Sequence, residues 1–110
     1  MTTEQLAAIL AKAAEVYTLR TAYLAAQTEH NDAITAASNA EAGWTMGVNS
    51  GADEATLTDL INQHVAAEVV EAQTLEAMTT AKTPYDAACA ELDALEEAAI
   101  ADALAPPAAP

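Results

Sequence analysis

Residues 2–42, TTEQLAAILAKAAEVYTLRTAYLAAQTEHNDAITAASNAEA, contain neither proline nor glycine, and this stretch decides the fold. Thr2 and Gln5 stand three apart, the capping-box spacing that satisfies otherwise unpaired amides of a first helical turn. From there Leu6, Ile9, Leu10, Val16, Tyr17, Tyr23, Leu24 and Ile34 recur at separations of three, four, seven and ten residues, which is helical periodicity. At 1.5 Å per residue some 40 residues make a rod of roughly 60 Å. That is about three times the mean globular helix, and such a rod cannot bury itself. It needs a second arm.

The second arm follows a loop expected at residues 43–51, where Gly43, Gly47, Asn49, Ser50 and Gly51 surround Trp44, Met46 and Val48. Glycine and asparagine clusters of this kind mark turns. Asp53 and Glu54 then favour a helix start through the macrodipole, and Leu57, Leu60, Ile61, His64, Val65, Glu68, Ala72, Leu75 and Met78 trace its stripe to about residue 81. Thr83-Pro84-Tyr85-Asp86 reads as an N-cap, a proline at the first helical position and an acid three residues after the cap. The spacing therefore predicts a break near Pro84 in preference to a kinked continuation, and a third helix over 84–104. Residues 105–110, APPAAP, cannot continue it and read as an extended tail of polyproline character. The expected architecture is all-α: one domain over 1–104, a long antiparallel helical hairpin with coiled-coil-like packing. Its three helices span about 2–42, 52–81 and 84–104.

Composition agrees. Alanine fills 31 of 110 positions, more than half of the 53% counted as hydrophobic, and phenylalanine is absent, so the apolar fraction overstates the core. Three glycines and four prolines supply little turn chemistry for an all-β or doubly wound fold. The longest strictly apolar run, Leu6 to Ala11, is far short of the roughly 20 residues that span a bilayer. Glu4 and Lys12 interrupt the pattern of a secretory signal. Cys89 is the only cysteine, which excludes an intramolecular disulfide and a multi-cysteine zinc site. These features point to a virion or cytoplasmic protein without membrane partners.

The charge is strongly one-sided: 17 Asp and Glu against 3 Lys and Arg give −14. Lys12, Arg20 and Lys82 are scattered, so the chain lacks the basic footprint of a direct nucleic-acid binder. Residues 1–40 carry four acids and two bases, a balance of −2; residues 41–110 carry 13 acids and Lys82, a balance of −12. Solubility accounts for such an excess, and attraction to a basic partner, with Glu91, Asp93, Glu96, Glu97 and Asp102 as the densest cluster, is the functional reading. The first helix displays threonine, asparagine, glutamine and serine between alanines. Those groups cost less to cover than carboxylates, which makes it the better candidate for contact with neighbours.

No residue set calls for catalysis, a cofactor or a metal. His64, Glu68 and Glu71 share a helical face, yet the residues three before His30 and His64 are Gln27 and Ile61 rather than the glutamates of a di-metal bundle. His64 reads as a seam histidine. Cys89, beside Asp86 and Glu91, has no basic partner to activate it and reads as a small core residue. Trp44 either plugs the end of the hairpin or anchors a partner, with Met46 beside it, since aromatics dominate interface hot spots. The partner-contact set expected from sequence is Trp44 and Met46 at the turn, Leu10 and Tyr17 on the first helix, and the polar group Arg20, Gln27, His30 and Asn31, which sets register.

A hairpin of about a hundred residues with tryptophan followed by glycine in its turn resembles the WXG100 family of small helical secretion substrates. Trp44-Thr45-Met46-Gly47 has one residue more than Trp-x-Gly, and Tyr85 is followed four residues later by Cys89 where that family's export signal has an acid. The family's partner binding and export are not carried over. In general character the chain is also similar to small acidic helical accessory subunits of tailed-phage virions. The expected function is a non-catalytic structural or interaction subunit, of which a head-cement, fibre or head-to-tail component is the leading instance. Its partners are other protein subunits or further copies of itself; a secreted helical hairpin of WXG100 type, or an acidic regulator that mimics nucleic acid on a basic partner site, is the alternative.

Overall fold

The computed structural model describes residues 1–106 and forms two helices, α1 (Thr3–Asn49) and α2 (Glu54–Leu104), with no strand among the described residues. The class is all-α as expected, but the helices number two, not three. Pro84 lies inside α2 and does not end it. Of the expected tail, Ala105 and Pro106 are exposed and non-helical, the Ala105 amide bonding back to the Asp102 carbonyl at 3.3 Å. Residues 107–110 lie outside the described residues.

The contacts divide the chain into two units. The first is Leu24–Thr80, which holds the turn. Here α1 continues through Gly43 and Gly47, where a loop was expected, and stops only at Asn49. The stop is a Schellman motif: Ala52 N–H donates to the Gly47 carbonyl (3.0 Å) and Gly51 N–H to that of Val48 (3.2 Å). Gly51 takes φ +72°, the left-handed conformation this motif needs and glycine adopts at little cost. Gly47 has a different duty. A Cβ there would lie 2.5 Å from Leu60 Cδ1, so the missing side chain makes room for α2. The α2 start is capped by Asp53, whose Oδ1 accepts the Thr56 amide at 2.8 Å.

The second unit pairs Met1–Tyr23 with the chain from Ala81 on. The Thr2–Gln5 box closes in both directions, Gln5 N–H to Thr2 Oγ1 at 3.0 Å and Thr2 N–H to Gln5 Oε1 at 2.8 Å. Tyr23 stacks on Tyr85 with ring centroids 5.7 Å apart. Lys12 bonds both Glu15 and Glu91, and the Gln5 amide donates to Asp102. An acid in the last turn of a helix is repelled by that helix's own dipole. Asp102 is offset by Gln5, which belongs to the first turn of α1.

Burial explains why Pro84 fails to break α2. On α1 a row of covered positions, Gln5, Ile9, Lys12, Val16, Leu19 and Tyr23, then Ala26, His30, Ala33, Ala37, Ala40, Trp44 and Gly47, advances in alternating steps of four and three, with Gln27 and Gly43 half-buried beside it. On α2 the same rhythm runs from Leu57 to Ala99 and includes Met78, Ala81, Tyr85 and Ala88. This is a coiled-coil seam. Pro84 stands one residue before a seam position, so its ring leaves the packing row unbroken. Its cost is a missing N–H, and hence a Thr80 carbonyl without the helical donor. Lys82 and Asp86 pair across the proline at 3.0 Å. Seam contacts on both sides outweigh the local signal.

Candidate protein interaction surface

The seam buries little bulk for its length: among the described residues His30 is the one side chain larger than alanine that is deeply covered. The buried positions are His30, Ala33, Ala37 and Gly47 in the unit containing the turn, and Ala88 and Ala99 in the other. No large side chain among the described residues is fully buried. Six further large apolar residues of α1 occupy the position immediately after a seam residue. Leu6 follows Gln5, Leu10 follows Ile9 and Tyr17 follows Val16; in the turn unit Leu24, Ile34 and Val48 follow Tyr23, Ala33 and Gly47. All six are exposed, Leu10 at 60% and Tyr17 at 70%.

The acids of α1 obey the opposite rule. Glu4, Glu15, Glu29 and Asp32 each immediately precede a seam residue, and only Glu41 follows one. Positions one before and one after the seam lie on opposite flanks of a helix, because each residue advances 100°. The helix therefore has an apolar flank and an acidic flank. Arg20 is the one basic residue on the apolar flank. Thr18, Thr21, Thr28 and Thr35 turn their hydroxyls onto carbonyls four residues back at 3.0–3.2 Å. Those hydroxyls are satisfied within α1 and add little cost if the helix is covered.

The expected contact residues separate in the structure. Leu10, Tyr17 and Arg20 come together on the apolar flank of one unit. Gln27, half-buried, and Asn31, exposed, continue the same register in the turn unit. His30 is buried beside Thr74, its Nδ1 3.0 Å from Thr74 Oγ1. The Thr74 hydroxyl donates to the Val70 and Glu71 carbonyls, so the network assigns the proton to His30 Nδ1, which donates to Thr74. His30 thus fixes the internal seam and is not offered to a partner. Trp44 fills a seam position and is half-buried, whereas Met46 is 72% exposed. Leu6 extends the apolar flank of the Met1–Tyr23 unit and Ile34 that of the turn unit; the signal for each was its position one residue after the seam.

His64 has a buried Nδ1 without a partner among the described residues. As hydrogen-bond partner, the Cys89 thiol raises the Tyr85 phenol above its usual range. No three of His, Cys, Asp and Glu gather to hold a metal among the described residues. No described helix is long and apolar enough to cross a membrane. Comparison of the chain with protein-family models, with curated proteins and with solved structures finds no match.

Proposed function

We propose that the chain is a non-catalytic interaction subunit whose burial is completed inside a larger protein assembly, with the apolar flank of α1 as its docking face. The observation that carries this reading is exposed bulk: Leu6, Leu10 and Tyr17 each stand one position after a seam residue, exposed and in register, while no large side chain among the described residues is fully buried. The chain exposes 7538 Å² at 11.3 kDa, where monomeric globular proteins of that mass expose about 5,700 Å². An ordered apolar row held in water is unfavourable at roughly 25 cal/mol per Å² of apolar area, and a partner removes that cost. An accessory component of a tailed-phage virion, of head-cement, fibre or head-to-tail type, is the instance we carry forward, on small size, acid excess and helical layout.

Native mass determination of the chain recovered from its own source tests the reading. The expected result is a complex of fixed stoichiometry that Tyr17→Glu dissolves while helix content is unchanged. Recovery as a free monomer, folded and indifferent to Tyr17→Glu, refutes it. For the virion instance, the chain should be present at fixed copy number in purified particles.

A further inference from the structure

We propose that the occupant of the apolar flank in the Met1–Tyr23 unit is a second copy of the same chain, α1 lying antiparallel against α1 of its partner about Ala13; the inference rests on the docking reading above. Charge selects this occupant. Residues 3–23 carry Glu4 and Glu15 against Lys12 and Arg20, a balance of zero, whereas residues 81–104 carry six acids against Lys82, a balance of −5. A partner drawn by the acid excess would settle on α2, because the apolar row of α1 holds no carboxylate in this unit. Apposing two α1 segments brings neutral surfaces together and leaves the two acid-rich α2 segments off the contact.

The spacing is also self-complementary. A two-fold interface pairs residue i with j and j with i. With the axis beside Ala13, Leu6 of each copy faces the aliphatic stem of the other's Arg20, and Leu10 comes within one residue's rise of level with Tyr17. Ala13 at the crossing lets the helix axes approach to the lower end of the usual range, about 8 Å. The contact falls in the small class of interfaces, which associate weakly. Dimerisation is therefore expected in the micromolar range.

Sedimentation equilibrium from about 1 to about 200 µM, with site-directed disulfide formation, tests the inference. The mass of the isolated chain should rise towards twice the monomer value with concentration. Leu10→Glu and Tyr17→Glu should each weaken the association at least tenfold without loss of helical circular dichroism. In a Cys89→Ala background, Ala13→Cys should cross-link rapidly into a dimer, while Ala11→Cys, about 200° away around the helix, should not. A chain that stays monomeric throughout, or equal cross-linking from both positions, overturns the second copy. A fixed complex from the native source that requires Tyr17, formed by a chain that is monomeric alone, overturns it too and leaves the docking reading standing.

Discussion

The two units solve the same packing problem with opposite materials. In Leu24–Thr80 the α1 side of the seam is Ala26, His30, Ala33, Ala37, Ala40, Trp44 and Gly47, against Leu57, Leu60 and Met78 of α2. In the Met1–Tyr23 unit both sides carry bulk, Ile9, Val16, Leu19 and Tyr23 with Tyr85, Leu92 and Leu95, and polar groups join the seam at Lys12–Glu91 and Gln5–Asp102. Small residues permit close approach and punish added volume; larger, partly exposed residues tolerate it.

The largest expected effect breaks that contrast directly. Ala37 is 3% exposed, so Ala37→Leu must force its three extra carbons into a closed seam and should cost about 3 kcal/mol. Val16→Leu, at a half-buried seam position of the other unit, should cost less than about 1 kcal/mol. Urea midpoints at constant m check both. Equal losses at the two positions would erase the distinction between the units.

A smaller effect separates the two histidines of the turn unit. His30 donates to Thr74, while the Nδ1 of His64 is buried without a partner among the described residues. A buried polar atom left unpaired costs about 1–3 kcal/mol, whereas a satisfied hydrogen bond contributes about 1 kcal/mol net. His64→Leu should therefore stabilise the chain by about 1 kcal/mol and His30→Leu destabilise it by a similar amount. Opposite signs in the same denaturation assay are the expected outcome.

Much of this was legible in the sequence, and the failures share one physical cause. The Thr2–Gln5 box, the uninterrupted first helix and the region of the turn follow from local chemistry. Pro84 and Gly47 were misread by the same local rules, because both judge a residue by its own backbone. Seam contacts on either side of Pro84 offset its lost hydrogen bond, and Leu60 of α2 fills the space that Gly47 leaves. The apolar stripe was misassigned for a related reason. Leu10 and Tyr17 are at least as large as the Ile9 and Val16 beside them, yet only Ile9 and Val16 lie on the seam, and hydrophobicity by size does not tell neighbours apart. Of the residues grouped from sequence, Leu10, Tyr17 and Arg20 are exposed on one flank, whereas His30 is buried against Thr74.

The smallest effect sharpens the comparison through pH, because the units differ in what caps and clasps them. Thr56 holds the Asp53 carboxyl below its ordinary value of 3.8 through its hydrogen bonds. A carboxylate depressed in the folded state contributes stability that is present above the unfolded pKa and lost as pH falls through the lower folded value. Acidification below about 4 should therefore weaken the α2 start, and protection of the Thr56 amide should fall. The Gln5 amide rests on the Thr2 hydroxyl, which does not titrate, so its protection should not follow that curve. At the other extreme, hydrogen bonds first to Glu15 and then to Glu91 raise Lys12 above 10.5. Its contribution is complete below the unfolded pKa and disappears as pH rises through the folded one. Amide exchange resolved by residue should therefore show acid loosening the turn unit at Thr56 and strong alkali loosening the other unit around Lys12. Asp53→Asn should remove the acid response at Thr56 and leave the alkaline response of Lys12 in place. Loss of both together would mean that the two units open as one.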